Sequence, residues 1–372
     1  MSQHPSFANW QVFQTRPSDD GKIIEHEAPP EWTWDATLLH HKSMNDSKAW
    51  LRRLMVPFCA LLLLLAAALV PHVEKRQRLR VAPGVWPGSE ALLLAHSQGK
   101  LPADRFQMIE LPWSSAVMRA LGNGAADVAV VTLDGVLRMR EGGQQLRVLM
   151  VLDASAGADA VMARPEVTDV QGLKGKRVGV DVRGAGAYLL INALESAGMS
   201  MSDIHIVQLI QREMESAVES REVDAVVASE PWLSGLRSKG FQCVFDSTRL
   251  SLPIVRLLVA SEKAHAQFRQ ELALLLRTQM DMTRLVRTGK PFDGMEMILR
   301  RERLQFEEFA SSLKHWKPLN MEENAAMLAG DSPQLAQMAA VMEEQMIRAG
   351  LLRSKPVPSD WIDATLLKEA LP

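Results

Sequence analysis

Residues 81–111 read VAPGVWPGSEALLLAHSQGKLPADRFQMIEL, and residues 178–209 read VGVDVRGAGAYLLINALESAGMSMSDIHIVQL. In each, a short apolar run enters a Gly-rich loop, a helically spaced stretch ends at a glycine, and a second apolar run follows. Gly99 corresponds to Gly198 and Asp104 to Asp203, a shift of 99 residues. A second device follows each copy. SSAVMRALGNGAADVAVVTLD (114–134) and ESAVESREVDAVVASEPW (215–232) both predict a helix, a break, and an aspartate opening an apolar strand. A duplicated β-α-β-α-β unit is therefore expected, with Asp127 and Asp224 capping strand entries through local backbone N–H groups.

In open parallel sheets, ligands lie beyond the carboxyl ends of the strands. Those ends carry the loops PGVWPGSE, TLD, DVRGAGAY and SEPW. If the two units face one another, all four loops line one cleft. The segments LDASAGADAVMARPEV (152–167) and VFDSTRLSLPIVRLLVAS (244–261) are extended, alternately apolar and marked by Gly or Pro, and are read as the strands crossing between lobes. From Ser261 onward the pattern is helical, with Asn320 and Glu323 forming a capping box and Ser332–Pro333 serving as N-cap and N1.

The chain has 372 residues, a formal net charge of −2 and two cysteines, Cys59 and Cys243. That charge gives no general attraction to nucleic acid, and no metal-ligand spacing occurs. Gly-x-Ser-x-Gly and the P-loop pattern are absent, and GAGAY (184–188) lacks the third glycine of a dinucleotide fingerprint. These readings favour a binding module over an enzyme, with no cofactor. His96 is read as a satisfied structural side chain. Residues 1–50 form a polar, Pro-rich tail expected to lack stable structure, and 51–73 enclose the uncharged run Leu54–Val70. At 17 residues this run is at the short limit for spanning a bilayer. It reads as a signal anchor, as a signal cleaved after export with Met44 as the true start, or as a buried soluble helix.

Taken together, DVAVVTLDGVL, LRVLMVLDASAGADAVMARPEV, LKGKRVGVDVRGAGAYLLINALESAGM, VDAVVASEPW and VFDS resemble the solute-binding proteins of ABC importers for nitrate, sulfonates, taurine and thiamine-precursor pyrimidines. NMEENAAML and DWIDATLL resemble that family's last helices. The resemblance implies an α/β, two-lobed periplasmic-binding-protein fold of type II, with hinge strands and a single N-terminal transmembrane or signal helix before it. The implied solute-binding domain spans 78–372, with lobe 1 at about 78–160 plus 250–372 and lobe 2 at about 165–245. The implied function is capture of a small organic solute (sulfonate-, nitrate- or pyrimidine-like) and delivery to an ABC permease and its ATPase. A membrane-anchored ligand sensor is the alternative. The expected setting is the inner membrane through residues 54–70, with the binding domain periplasmic, or the periplasm after cleavage. A monomer without nucleic acid is expected. After FDS the family leads to an acid where this chain has Arg256.

For the cleft itself, the aromatic residues Trp86, Trp113, Tyr188 and Trp232 stand beside Glu90, Asp134, Asp181 and Glu230, a set suited to a planar or cationic solute. Arg183 with the N–H groups from Gly184 to Ala187 suits an anion at a helix N-terminus. The expected ligand-binding residues are Trp86, Ser89, Glu90, Trp113, Thr132, Asp134, Asp159, Arg183, Gly184, Gly186, Tyr188, Glu230 and Trp232.

Overall fold

Both copies of the repeat fold alike. The computed structural model describes residues 77–370, and in it the first copy runs β1 (Leu79–Ala82), α1 (Pro87–Ser97), β2 (Phe106–Met108), α2 (Ser114–Gly122), β3 (Val128–Thr132). Next come α3 (Leu133–Glu141), β4 (Leu146–Ser155) and β5 (Asp159–Ala163). The second copy runs β6 (Arg177–Val180), α4 (Ala185–Ser196), β7 (His205–Gln208), α5 (Gln211–Glu219), β8 (Ala225–Ser229). It is followed by α6 (Trp232–Ser238), β9 (Gln242–Asp246) and β10 (Val255–Ser261). The rest comprises α7 (Glu262–Gln267), α8 (Arg269–Val286), α9 (Met295–Glu302), α10 (Phe306–Ser312), β11 (Trp316–Pro318), α11 (Met321–Leu328), α12 (Gln334–Arg348) and α13 (Thr365–Ala370).

Two sheets result, ordered β11-β4-β10-β3-β1-β2 and β7-β6-β8-β5-β9. Within them, β3-β1-β2 and β8-β6-β7 are the same parallel arrangement. Val81 pairs with Val128 and Val178 with Ala225, an identical separation in the two copies. Asp127 and Asp224 explain that register. Each accepts a 2.9 Å bond from the backbone N–H of an arginine on the neighbouring strand, Arg80 or Arg177. The cap therefore reaches across the sheet and is not the local turn cap expected from sequence. Asp127 also holds the Arg80 guanidinium at 2.7 Å, whereas Asp224 stands 3.6 Å from that of Arg177.

The architecture is two-lobed. The chain passes between the sheets twice, from β4 to β5 and from β9 to β10. The Ser247 hydroxyl ties the two crossings together, 2.7 Å from Ser155 Oγ and accepting from the Gly157 N–H at 2.8 Å. Strand β5 is buried at every residue, and β3, β4, β6, β8 and β10 nearly so, as strands covered by helices on both faces must be.

Three sequence expectations need correction or restriction. The C-terminal region is not wholly helical, because Trp316–Pro318 pairs antiparallel with β4. Three residues ending in proline show no alternation, and proline is tolerated there because β11 is an edge strand. Ser332 is not the N-cap of α12. That position is Pro333 and carries no side-chain cap, whereas the Asn320–Glu323 capping box is present. The tail 1–50 and the apolar run Leu54–Val70 lie outside the described residues. No helix among the described residues is long and apolar enough to cross a membrane.

Candidate functional site

The carboxyl ends of β1, β3, β6 and β8 point at a common cavity of about 90 Å³ between the two sheets. Sheet-one residues reach it from the β1–α1 loop (Pro83 to Trp86), the start of α2 (Trp113, Ser114) and the end of β3 (Thr132). Asp159, Asp181, Gly184, Gly186, Gln211, Ser229 and Trp232 close it from the other side. Of the residues expected from sequence, Trp86, Trp113, Thr132, Asp159, Gly184, Gly186 and Trp232 line the cavity. The β1–α1 loop turns into it at Gly84, whose φ of +73° is a left-handed conformation that side chains with a Cβ rarely adopt.

Arg256 organises the wall. On β10 it sits opposite both Thr132 of β3 and Asp153 of β4, so the three side chains form one cross-strand row. Its guanidinium lies over the Trp86 ring, 3.1 Å from the centroid. Nη2 donates to both oxygens of Asp159 at 3.1 Å, and Nη1 lies 3.5 Å from Asp153 Oδ1. Trp86 Nε1 in turn donates to Asp153 Oδ2 at 2.9 Å. Burial pushes the Asp153 carboxyl up from the usual range, against the opposing pull of Arg256. Because Asp159 belongs to the second sheet, the arginine also joins the lobes. Two further contacts do the same: Arg212 of α5 lies 5.1 Å from the Trp113 ring centroid, and the Tyr188 hydroxyl on α4 donates to Gln345 of α12 at 3.0 Å.

Six expected site residues are not brought to the cavity. Ser89 and Glu90 lie in the first turn of α1, fully buried on its inner face. Ser89 Oγ donates back to the Trp86 carbonyl, and Glu90 accepts from Arg301 Nε at 2.9 Å. Burial raises the Glu90 carboxyl to about 7 despite that partner. Beside it Glu302 has no hydrogen-bond partner on either oxygen among the described residues, and burial holds it well above the carboxylate range. Asp134 is buried under α3 with Arg138 at 3.9 Å, and burial raises its carboxyl too. Tyr188 is buried at the lobe contact, its hydroxyl pushed up to about 12 by desolvation. Glu230 lies two residues before α6, accepting from the Ser234 N–H, the Ser234 hydroxyl and Arg237. Arg183 turns outward, 3.8 Å from Asp181, and does not line the cavity.

Arg256 lines the cavity without having been expected there, as do Ser114, Gln211, Ser229 and apolar residues such as Val117 and Val130. Asp181, read from sequence as a cleft acid though not as a ligand-binding residue, also lines it. Asp181 Oδ1 accepts from the Arg183 N–H and from Gln208 Nε2, each at 3.1 Å. Gly88 is needed next door, because a Cβ there falls 2.7 Å from Asp153 Oδ2 and 2.9 Å from Trp316 Nε1.

Residues 107–267 match the family model described as NMT1/THI5 like. A Brucella abortus (strain 2308) protein named "Putative binding protein" is 22% identical over 253 residues, covering 66% of this chain and 76% of the relative. The fold superposes on the alkanesulfonate-binding protein SsuA from Xanthomonas axonopodis pv. citri bound to MOPS, with TM-score 0.63, 20% identity, 77% of this chain and 98% of that one. It also superposes on the desulfurization enzyme DszB, with TM-score 0.55, 15% identity, 79% of this chain and 99% of that one. The family resemblance drawn from the sequence is thus met by an NMT1/THI5-like match and by a shared fold. That fold carries both binding proteins and an enzyme.

Proposed function

We propose that this chain is the extracytoplasmic solute-binding component of an ABC importer, capturing a small organic solute between its lobes without turning it over. The observation that carries this reading is the cavity at the strand ends of both sheets, with Arg256–Asp159, Trp113–Arg212 and Tyr188–Gln345 bridging the lobes around it. Among the described residues the lining contains neither histidine nor cysteine, so these offer no imidazole base or thiol nucleophile. The NMT1/THI5-like match and the relative named as a binding protein support capture of a solute. In this reading residues 54–70 hold the domain at the inner membrane or are cleaved on export, and a permease with its ATPase receives the solute.

The test is native mass spectrometry of the full chain as purified, followed by a thermal-shift panel of pyrimidines, sulfonates and amino-acid-like solutes. A ligand at 100 times its Kd stabilises by about 2.7 kcal/mol. The expected result is a retained solute or a raised Tm, lost in Trp86→Ala. The absence of both a retained solute and any Tm shift across the panel overturns the reading.

A further inference from the structure

The charges facing the cavity decide what kind of solute it takes. Two acids, Asp159 and Asp181, and one base, Arg256, line it. The base is already ion-paired to two acids, although its Nη1 makes no hydrogen bond among the described residues. Its Nη2 is held by Asp159, its Nη1 faces Asp153 at 3.5 Å, and its upper face is covered by Trp86. Arg183, the cation that would greet an anion at the start of α4, points outward with its side chain 59% exposed. Asp181, two residues before it and 6% exposed, lines the cavity instead. Its bonds go to Oδ1, and Oδ2 has no hydrogen-bond partner among the described residues. A carboxylate oxygen at a cavity wall with no protein donor is open to one from the solute.

Resting on the solute-binding reading above, we propose that the cavity binds a small organic cation of the ammonium or guanidinium class, donating to Asp181 Oδ2 with its apolar body against Trp113 and Trp232. A simple sulfonate or nitrate meets the Asp181 carboxylate and, among the described lining residues, only a cation already paired to two acids. The cavity, at about 90 Å³, is large enough to admit a small solute.

The experiment is isothermal titration of the full chain with methylguanidine and choline as cations, ethanesulfonate as anion and taurine as zwitterion. In parallel, solute released by denaturing the purified protein is analysed in positive- and negative-ion modes. The expected result is binding of a cation, a positive-mode released solute, and at least a tenfold loss of cation affinity in Asp181→Asn. That variant keeps an oxygen for the Arg183 N–H and Gln208, and its Tm verifies folding. Tighter binding of ethanesulfonate than of either cation, or a released solute that is an anion, overturns the proposal and leaves the solute-binding reading standing. Should Asp181→Asn misfold, the ion mode of the released solute and the wild-type titrations still decide. No binding by any probe together with no released solute overturns both readings.

Discussion

Replacing Arg256 by methionine keeps a long apolar stem over Trp86 but removes the charge between Asp153 and Asp159. Both acids are buried, Asp153 completely and Asp159 to 6% exposure, and both then lack their cation. Breaking a buried pair by removing one partner costs about 3–5 kcal/mol, because the remaining charge is left uncompensated. Unfolding entropy of about 2.1 cal/mol/K per residue, taken over residues 77–370, converts this to a fall in Tm of about 5–8 °C. The assay is calorimetry of the parent, Arg256→Met, Asp159→Asn and the double variant. If uncompensated charge is the cause, Asp159→Asn introduced into Arg256→Met recovers at least about 1 kcal/mol, a sign that a purely packing effect would not give. A single-variant loss below about 1 kcal/mol, or a double variant no more stable than Arg256→Met, refutes this account of the wall.

Gly88→Ala is expected to cost about 1–3 kcal/mol, roughly 2–5 °C in Tm, since its methyl overlaps Asp153 Oδ2 and the rigid Trp316 ring. Unchanged Tm and tryptophan emission would count against the close packing behind Trp86. Glu90 supplies a pH signature. Its carboxyl is raised to about 7, so the protonated form is favoured in the folded chain. The associated stability is full below about pH 4.5 and is lost as pH rises through about 7, a range worth on the order of 3 kcal/mol. Glu90→Gln stays neutral throughout, so its Tm relative to the parent should climb between pH 5 and 7.5; parallel curves would contradict the assignment.

The repeat carried the topology because it is written twice. Equal spacing of Asp127 and Asp224 from Arg80 and Arg177 reproduces one strand register in both sheets. The site was legible only in part, for a reason of helical phase. Residues that end a strand or immediately precede a helix, such as Trp86, Trp113, Thr132 and Gly184, face the cavity. Those two to four positions later, Ser89, Glu90, Asp134 and Tyr188, have turned beneath the first helical turn into the core. Loop composition does not distinguish the two groups. Glu230 was drawn away by its own helix, whose Ser234 and Arg237 occupy it. Arg256 lay beyond reach because its role depends on an antiparallel register between β10, β3 and β4 that a single chain does not announce. The departure from the family pattern at that position was visible. Its partner across the lobes was not.

The tie at Ser247 also bears on the order in which the chain is assembled. Strands β4 and β10 lie side by side, with Val255 opposite Ala154, although every strand of the second sheet falls between them in sequence. Bringing them together across about 100 unstructured residues is an expensive closure. Once the second sheet exists, Ala160 is already paired with Asp246, and the gap shrinks to about ten flexible residues. By the logarithmic loop law that saves about 2 kcal/mol. The inserted lobe therefore acts as a staple that must be set before the surrounding sheet can zip, and pulse-labelled amides of β8 should gain protection ahead of those of β10.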